Sequence, residues 1–431
     1  DPSMHSSQNE QDSRFYGRFA MIPILEPSSQ QEAYEMAYSG FELSEKHNLP
    51  VLIRITTRLA HSRAVITGRP PIPQNKLHLP ADPTQYVLLP AMARGKYRSL
   101  IEKQALIEAE SAGSAYNQYR AAENKSLGIV ACGITINYLN EVFEGKPVPY
   151  PVLKIGQYPI PEPYLKRLVD ECDELLILEE GYPYLEDLLA SPYLPHKKIR
   201  GRLDGTLPRT GELSPKQLAA AFAMDWPSGY ALPEWLANRP PSLCKGCTHI
   251  EVFNELNEAI KAYGNGRVFS DIGCYTLGAL APYHAINSCV DMGASITMAK
   301  GAADAGLTPA VAVIGDSTFT HSGMTGLLDA IYENSPITVI ISDNSTTAMT
   351  GGQESLATGR LDQICIGLGA DPAHVFTFEP TRVNRQETIE LIKHELAYEG
   401  LSVIIPRREC VQTAQRSKKE QKLQSEASVA H

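Results

Sequence analysis

"GDSTFTHSGMTGLLDAIYENSPITVIISDNSTTAMTGGQ", residues 315–353, carries a β–α–β reading within one stretch. Just before it, "AVAVI" (310–314) reads as a buried strand that ends in Gly315-Asp316. Leu327, Leu328 and Ile331 give the intervening helix an apolar face, and "TVIIS" (338–342) reads as a second strand ending in Asp343-Asn344. A right-handed crossover makes the two strands parallel, so both ends lie at one sheet edge. That is where α/β folds bind ligands. Asp316, Asn344 and the backbone carbonyl of Thr346 could hold Mg²⁺ there, with diphosphate oxygens completing an octahedron. Taken singly, each is a polar residue at a strand end, as in any α/β protein.

Outward from this stretch, residues 243–410 keep alternating: "RVFSDIG", "GASITMAKGAADAG", a helix near 384–398, then "LSVIIP". Upstream, 126–200 reads strand, helix, strand, helix, strand ("LGIVACG", "ITINYLNEVFE", "PVLKIG", "EPYLKRLVDEC", "ELLILEE"), a small parallel α/β domain. Residues 201–242 are punctuated by Pro and Gly and read as a linker. Residues 28–46 read as a helix, with Ser29 as N-cap, Glu32 three positions on, and Ala33, Met36, Ala37 and Phe41 on one face. The following "LPVLIRITTRL" (49–59) reads as a buried strand. Residues 1–70 thus resemble the end of an α/β domain whose beginning precedes them. Residues 71–125 read as a connector of Pro-rich and then helical segments without a clear sheet, and 411–431 as a polar tail, a frayed helix or disordered.

The 431 residues carry a net charge of −10 with no basic stripe, which argues against a nucleic-acid binder. No apolar run spans a membrane and no targeting signal is evident, so the cytoplasm is expected. Eight cysteines in so long a chain do not suggest a disulfide framework. In "SLCKGCTHI" (242–250), Cys244 and Cys247 could bind zinc or iron, exchange disulfides, or do nothing. Thiol exchange wants a thioredoxin-like context, absent here. Cys132, Cys172, Cys289 and Cys365 sit in apolar or helical surroundings and read as small buried hydrophobes.

The Gly-Asp-Ser…Asn-x-Thr arrangement resembles the metal loop of thiamine diphosphate enzymes. "TGGQ" (350–353) is similar to the segment just after that loop in the 2-oxoacid:ferredoxin oxidoreductases. Together with "DPSMHSSQNEQDSRFYGRFA" (1–20), "RITTRLAHSR" (54–63) and "DIGCYTLG" (271–278), nearly the whole chain resembles the large subunits of indolepyruvate ferredoxin oxidoreductases.

That resemblance implies thiamine diphosphate-binding α/β folds: the end of a pyrimidine-binding domain over 1–70, a transketolase C-terminal-like domain over 126–200, and a diphosphate-binding domain over 243–410. It implies Mg²⁺ on Asp316, Asn344 and Thr346, and cofactor contacts from Gly315, Ser317, Thr350 and Gly351. Leu277 would prop the bent cofactor. Gly293 and Ser295 would let the backbone approach it at a helix N-terminus, where anions are favoured; plain capping is the alternative. His249 and His321 would touch the diphosphate or the substrate carboxylate. His5, Ser6 and Gln8 would face the substrate. Arg54, Arg58 and His61 would meet an anionic substrate or coenzyme A, or else sit solvated at a strand end.

The resemblance also implies a [4Fe–4S] cluster on Cys244, Cys247, Cys274 and Cys410, one thiolate per iron. Zinc on the same sulfurs, or no ligand, stays open. The sequence departs from the family's form at Lys245 and Thr248, where proline is frequent, and holds no ferredoxin-like cysteine run. The activating glutamate expected in such enzymes falls upstream; Glu10 and Glu26 do not match its context. The implied reaction is oxidative decarboxylation of an arylpyruvate to the acyl-coenzyme A, with ferredoxin as acceptor and a smaller γ-type subunit in a hetero-oligomer. Two rivals remain: a non-redox thiamine diphosphate decarboxylase or lyase, and an inactive thiamine-binding relative.

Overall fold

The computed structural model describes residues 1–429 apart from Ser6, Leu77, Ser228, Asn238 and residues 191–196, so the expectation for Ser6 lies outside the described residues. Two compact units divide the chain, Asp1–Ala231 and Leu232–His431. No helix among the described residues is long and apolar enough to cross a membrane.

The second unit is built on a six-stranded sheet in the order Ser288–Cys289, Val268–Ser270, Ala310–Gly315, Ile337–Ser342, Ser402–Pro406, Val375–Phe378, every pairing parallel. The central strands are buried along their whole length and mostly apolar because helices cover both faces. Ala310, Ala312 and Ile314 point to one core with Ile296, Phe319 and Leu327. Val311 and Val313 point to the other, with Phe253, Leu256, Ile389 and Ile392. Gly315 pairs with Ser342, so the ends carrying Asp316 and Asp343 stand side by side, as expected. The crossover helix Met324–Tyr332 buries Leu327 and Ala330 and packs Ile331 on the core, but Leu328 is half exposed. At about 100° per residue, Ala330 and Ile331 fall to either side of Leu327 within about 60° of it, whereas Leu328 is turned about 100° away.

In the first unit the main sheet runs Gln118–Arg120, Val152–Ile155, Leu127–Cys132, Glu174–Leu178, Lys198–Arg200, parallel except for its first strand. Residues 71–125 hold the expected helix, Pro90–Ala112, but are not only a connector: their end supplies an edge strand. Nor is 201–242 wholly a linker. Leu207, Leu213 and the helix Pro215–Ala221 join the core around Ile136 and Leu139, because their apolar spacing continues that face.

The helix Gln30–His47 begins as expected, with Ser29 accepting from the Glu32 amide. Its buried stripe is Met36, Gly40, Leu43 and His47, whereas Ala37 and Phe41 face outward. The extended run after it is only Leu52–Ile53 before a helical turn, Thr57–His61, takes over. Residues 411–429 form a helix, one of the two outcomes expected for the polar tail.

Candidate cofactor pocket and cysteine set

From Val268–Ser270 the chain moves to one side of the sheet, to Ser288–Cys289, then crosses back to Ala310–Gly315 on the other side. Strand ends diverge at such a reversal and leave a crevice. A cavity of about 140 Å³ lies there, lined by Cys274, Tyr275, Asp316, Ser317, Asn344 and Thr346, with Met292, Met349 and Thr350 completing the wall.

Asp316 is 2% exposed, and its Oδ2 has no hydrogen-bond partner. Burial, then the nearby Asp343 carboxylate, pushes its acid up to about 6, against the Ser355 hydroxyl and the Ser317 amide beside it. An orphaned carboxylate oxygen beside an amide carbonyl and backbone carbonyls is a hard-oxygen donor set of the kind Mg²⁺ takes. The residues present thus fit a metal-bound diphosphate. Around them the loop is held stiffly. Ser345 N–H donates to Asp343 Oδ1 and Thr346 N–H to Asn344 Oδ1, both at 3.1 Å, in successive side-chain turns. Ser345 itself sits in the left-handed region at φ 59°. Arg407 Nε fixes Asp343 Oδ2 at 2.6 Å, and Cys410 N–H donates to the Asn344 carbonyl at 3.1 Å.

Tyr275, adjacent to Cys274 in "DIGCYTLG", forms a wall the sequence reading missed. Its hydroxyl donates to the Asp271 carboxylate, and its ring lies so close to Gly315 that a Cβ there would stand 2.5 Å from it. Gly315 is therefore required by Tyr275. Leu277, expected as the cofactor prop, does not line the cavity; Met292 and Met349 supply the aliphatic surface instead. The helix Ala294–Asp304 does begin at Gly293, as expected, but its N-terminus already holds an anion. Ser295 Oγ donates to Asp271 Oδ2 at 2.8 Å and Gly293 N–H at 3.3 Å. Gly293, at φ 91°, is pressed against Ser322. Burial pushes Asp271 up to about 6.

The cysteine set is brought together from three segments. A tight turn closed by Cys247 N–H to the Cys244 carbonyl at 2.9 Å carries the first two, with Gly246 left-handed at φ 81°. Cys274 follows strand Val268–Ser270, and Cys410 follows Ser402–Pro406. Burial, then the charges of Cys244, Cys274 and Cys410, pushes the Cys247 thiol up to about 11, against a hydrogen bond from the His249 amide. Burial, then Cys410 and Cys244, raises Cys274. All four thiols are thus within electrostatic reach of one another. No group of three or more His, Cys, Asp or Glu among the described residues is placed to hold a metal ion as the side chains stand. Cys132, Cys172 and Cys365 are buried as expected; Cys289 is half-buried, its Sγ donating to the Asp271 carbonyl.

Several expected contacts are absent from this pocket. His249 is 1% exposed, lies edge-on to Tyr275, and both its ring nitrogens lack partners; burial, then Arg408, lowers it to about 4. It stands behind the cavity wall rather than in it. His321 is exposed and bonds Ser322 Oγ. Thr350 lines the cavity; Gly351, left-handed at φ 125°, serves the turn of the hairpin Thr346–Thr347/Gln353–Glu354.

The basic residues of the first unit also have internal partners. Arg54 is 8% exposed and pairs with Glu26 and Asp12, so it is neither solvated nor free for an anion. Arg58 pairs with Glu212 at 3.0 Å and lies over Tyr138. His5 lies 3.6 Å from Glu212, and Gln8 is exposed. Glu26, no match for an activating glutamate, is consumed by Arg54 and Tyr158.

Comparison with known proteins agrees with the pocket. The family described as "Thiamine pyrophosphate enzyme, C-terminal TPP binding domain" matches residues 271–405, which include both strand ends. An indolepyruvate oxidoreductase subunit IorA from Archaeoglobus fulgidus is 34% identical over 95% of this chain and 69% of its own length. Those of Methanothermobacter thermautotrophicus and Thermococcus kodakarensis are each 35% identical over 95% of this chain, and over 70% and 69% of their own lengths. Among solved structures, a 2-oxoglutarate:ferredoxin oxidoreductase from Magnetococcus marinus gives a TM-score of 0.34 at 20% identity, over 40% of this chain and 66% of that chain, too low to bear on the fold.

Proposed function

The chain belongs to the family of indolepyruvate oxidoreductase IorA subunits, and from that premise we infer its reaction: thiamine diphosphate-dependent oxidative decarboxylation of indolepyruvate, with ferredoxin as the electron acceptor. Coenzyme A as acyl acceptor and a smaller γ-type partner subunit complete the reading. Residues 1–70 are read as the end of a pyrimidine-binding domain. Residues 126–200, extended by Gln118–Arg120 and Pro215–Ala221, are read as the transketolase C-terminal-like domain.

One observation carries the assignment of chemistry to the pocket: the unpartnered, buried Oδ2 of Asp316 beside Asn344 at a strand-order reversal. Asp316, Asn344 and the Thr346 carbonyl would hold Mg²⁺, whose charge would offset that of the diphosphate. Bound there, thiamine diphosphate supplies a nucleophilic carbon and an electron sink for decarboxylation, and a [4Fe–4S] cluster on Cys244, Cys247, Cys274 and Cys410 supplies one-electron transfer. The chain's own part is to orient and to exclude water. Tyr275, braced on Asp271, fixes one wall, and Met292 and Met349 keep the opposite surface apolar. The nearness of four thiols drawn from three segments supports the cluster reading, one thiolate per iron.

The test is the complex with its partner subunit, purified without oxygen and given a panel of 2-oxo acids with a ferredoxin-linked dye. Indolepyruvate-dependent dye reduction by a brown, iron-containing protein is expected. A colourless, iron-free protein that releases CO₂ without reducing the dye would instead establish the non-redox decarboxylase.

A further inference from the structure

Arg408 lies two residues before Cys410 and uses nearly all its donors on the opposite half of the cysteine set. Its Nη2 donates to the Gly246 carbonyl at 3.3 Å, inside the Cys244–Cys247 turn, and to Glu251 Oε2 at 3.1 Å. Its Nε donates to Thr248 Oγ1 at 3.1 Å, and that hydroxyl donates back to the Arg408 carbonyl at 3.3 Å. Nη1 is anchored on the Pro380 carbonyl at 2.9 Å. The Arg408 amide donates to the Asp343 carbonyl at 3.0 Å, beside the metal-binding loop. Thr248 is 4% exposed and opens the helix Thr248–Ile260, a position where proline would preset the backbone but offer no hydroxyl.

We propose that Arg408, acting through Thr248, is the positioning residue of the cysteine set: it clasps the Cys244–Cys247 turn against the strand end that bears Cys410, and so sets the spacing of the thiolates. The inference rests on the cluster reading above. A planar guanidinium suits the role, because its donors are held in one rigid fork and can satisfy a carbonyl, a hydroxyl and a carboxylate at once. Lysine cannot reproduce that fork. The reciprocal Arg408–Thr248 bonds also explain why threonine serves at 248: it is both acceptor and donor to the same residue.

The variants are Arg408→Met, Arg408→Lys, Thr248→Val and Thr248→Ser, made in the complex with the partner subunit and purified without oxygen. Iron retention against a chelator, the electron paramagnetic resonance spectrum and the midpoint potential are read for each, with thiamine diphosphate affinity as the check on folding. Arg408→Met and Thr248→Val are expected to lose iron about 10–100-fold more readily, the usual range for losing a group that orients a metal ligand, and to shift both spectrum and potential. Thr248→Ser is expected to restore both, and Arg408→Lys to fall between. Thr248→Val is isosteric and covers the case in which Arg408→Met fails to fold. Wild-type iron retention, spectrum and potential in Thr248→Val would overturn the proposal.

A second readout does not need iron. In protein stripped of metal, a short bis-methanethiosulfonate, which loses a sulfinate at each end as it bonds to a thiol, should bridge Cys247 to Cys410 in the wild type and much less in Arg408→Met. Arg408-dependent bridging in a wild type that never binds iron would keep the clasp and sink the cluster reading. Bridging that ignores Arg408 would sink the clasp alone.

Discussion

Arg14 in the first unit and Asp316 in the second are both buried charges, and the chain treats them oppositely. Arg14 is fully enclosed, yet its guanidinium reaches Asp12, Glu179 at 2.7 Å, and the carbonyls of Glu180 and Tyr182. Burial works against its charge, but Glu179, Tyr158 and Asp12 outweigh it and hold the group firmly protonated. Arg54, Glu26, Tyr158 and Tyr138 extend the same network with bonds of their own. Asp316 and His249 in the second unit have buried polar atoms with no partner. A charge satisfied by its own chain is doing structural service; one left unsatisfied at a strand-order reversal points to a ligand. The distinction also explains why Arg54 is not available to an anionic substrate.

Replacing Arg14 should break the contrast most severely. Arg14→Met leaves Asp12 and Glu179 buried without their counter-charge, and a loss of about 3–5 kcal/mol is expected in urea unfolding. A loss below about 1 kcal/mol would mean that the network is not what holds the first unit together.

Glu180 sharpens the comparison through pH. Burial raises it to about 7, against the Leu213 amide, the Tyr138 hydroxyl and Arg202. The folded state therefore keeps a proton that the unfolded chain releases near its ordinary 4.5. Between those values the native state binds more protons, so its stability falls as pH rises from about 4.5 to 7, by about 3 kcal/mol in all. Glu180→Gln should flatten that slope in a series of urea titrations across the window; an unchanged slope would assign it to other groups.

The smallest effect concerns the anion of the second unit that the chain does satisfy. Tyr275→Phe removes a hydroxyl donor from buried Asp271 and should cost about 2 kcal/mol of stability, read as a lowered unfolding midpoint. An unchanged midpoint would show that Ser295 and Gly293 suffice to hold that carboxylate.

The strands ending at Asp316 and Asn344 were legible because both are mostly apolar and joined by one amphipathic helix, so local periodicity alone places their ends together. Cys244 and Cys247 announce themselves as a pair. Cys274 and Cys410 lie far along the chain, and only family likeness joined them to it before the fold did so. The pocket walls escaped for a different reason. Whether Tyr275 or Leu277 faces the cavity depends on how the turn after Ser270 orients each, which spacing does not encode. Arg54 was misread because its partners, Asp12 and Glu26, are distant in sequence, and nothing local marks an arginine as already paired. The helix Pro215–Ala221 was hidden in a Pro- and Gly-rich stretch too short to show its period.

The most direct test of the account is a calorimetric titration of thiamine diphosphate, with and without Mg²⁺, into the wild type and into Asp316→Ala, alongside urea unfolding of both. The wild type should bind in a metal-dependent manner, and the variant should lose at least about 100-fold in affinity. Its stability should be unchanged or higher, since a buried carboxylate oxygen without a partner no longer has to be desolvated. Undiminished affinity in Asp316→Ala, or a destabilisation like that of Arg14→Met, would contradict the claim that this carboxylate is reserved for a metal-bound cofactor.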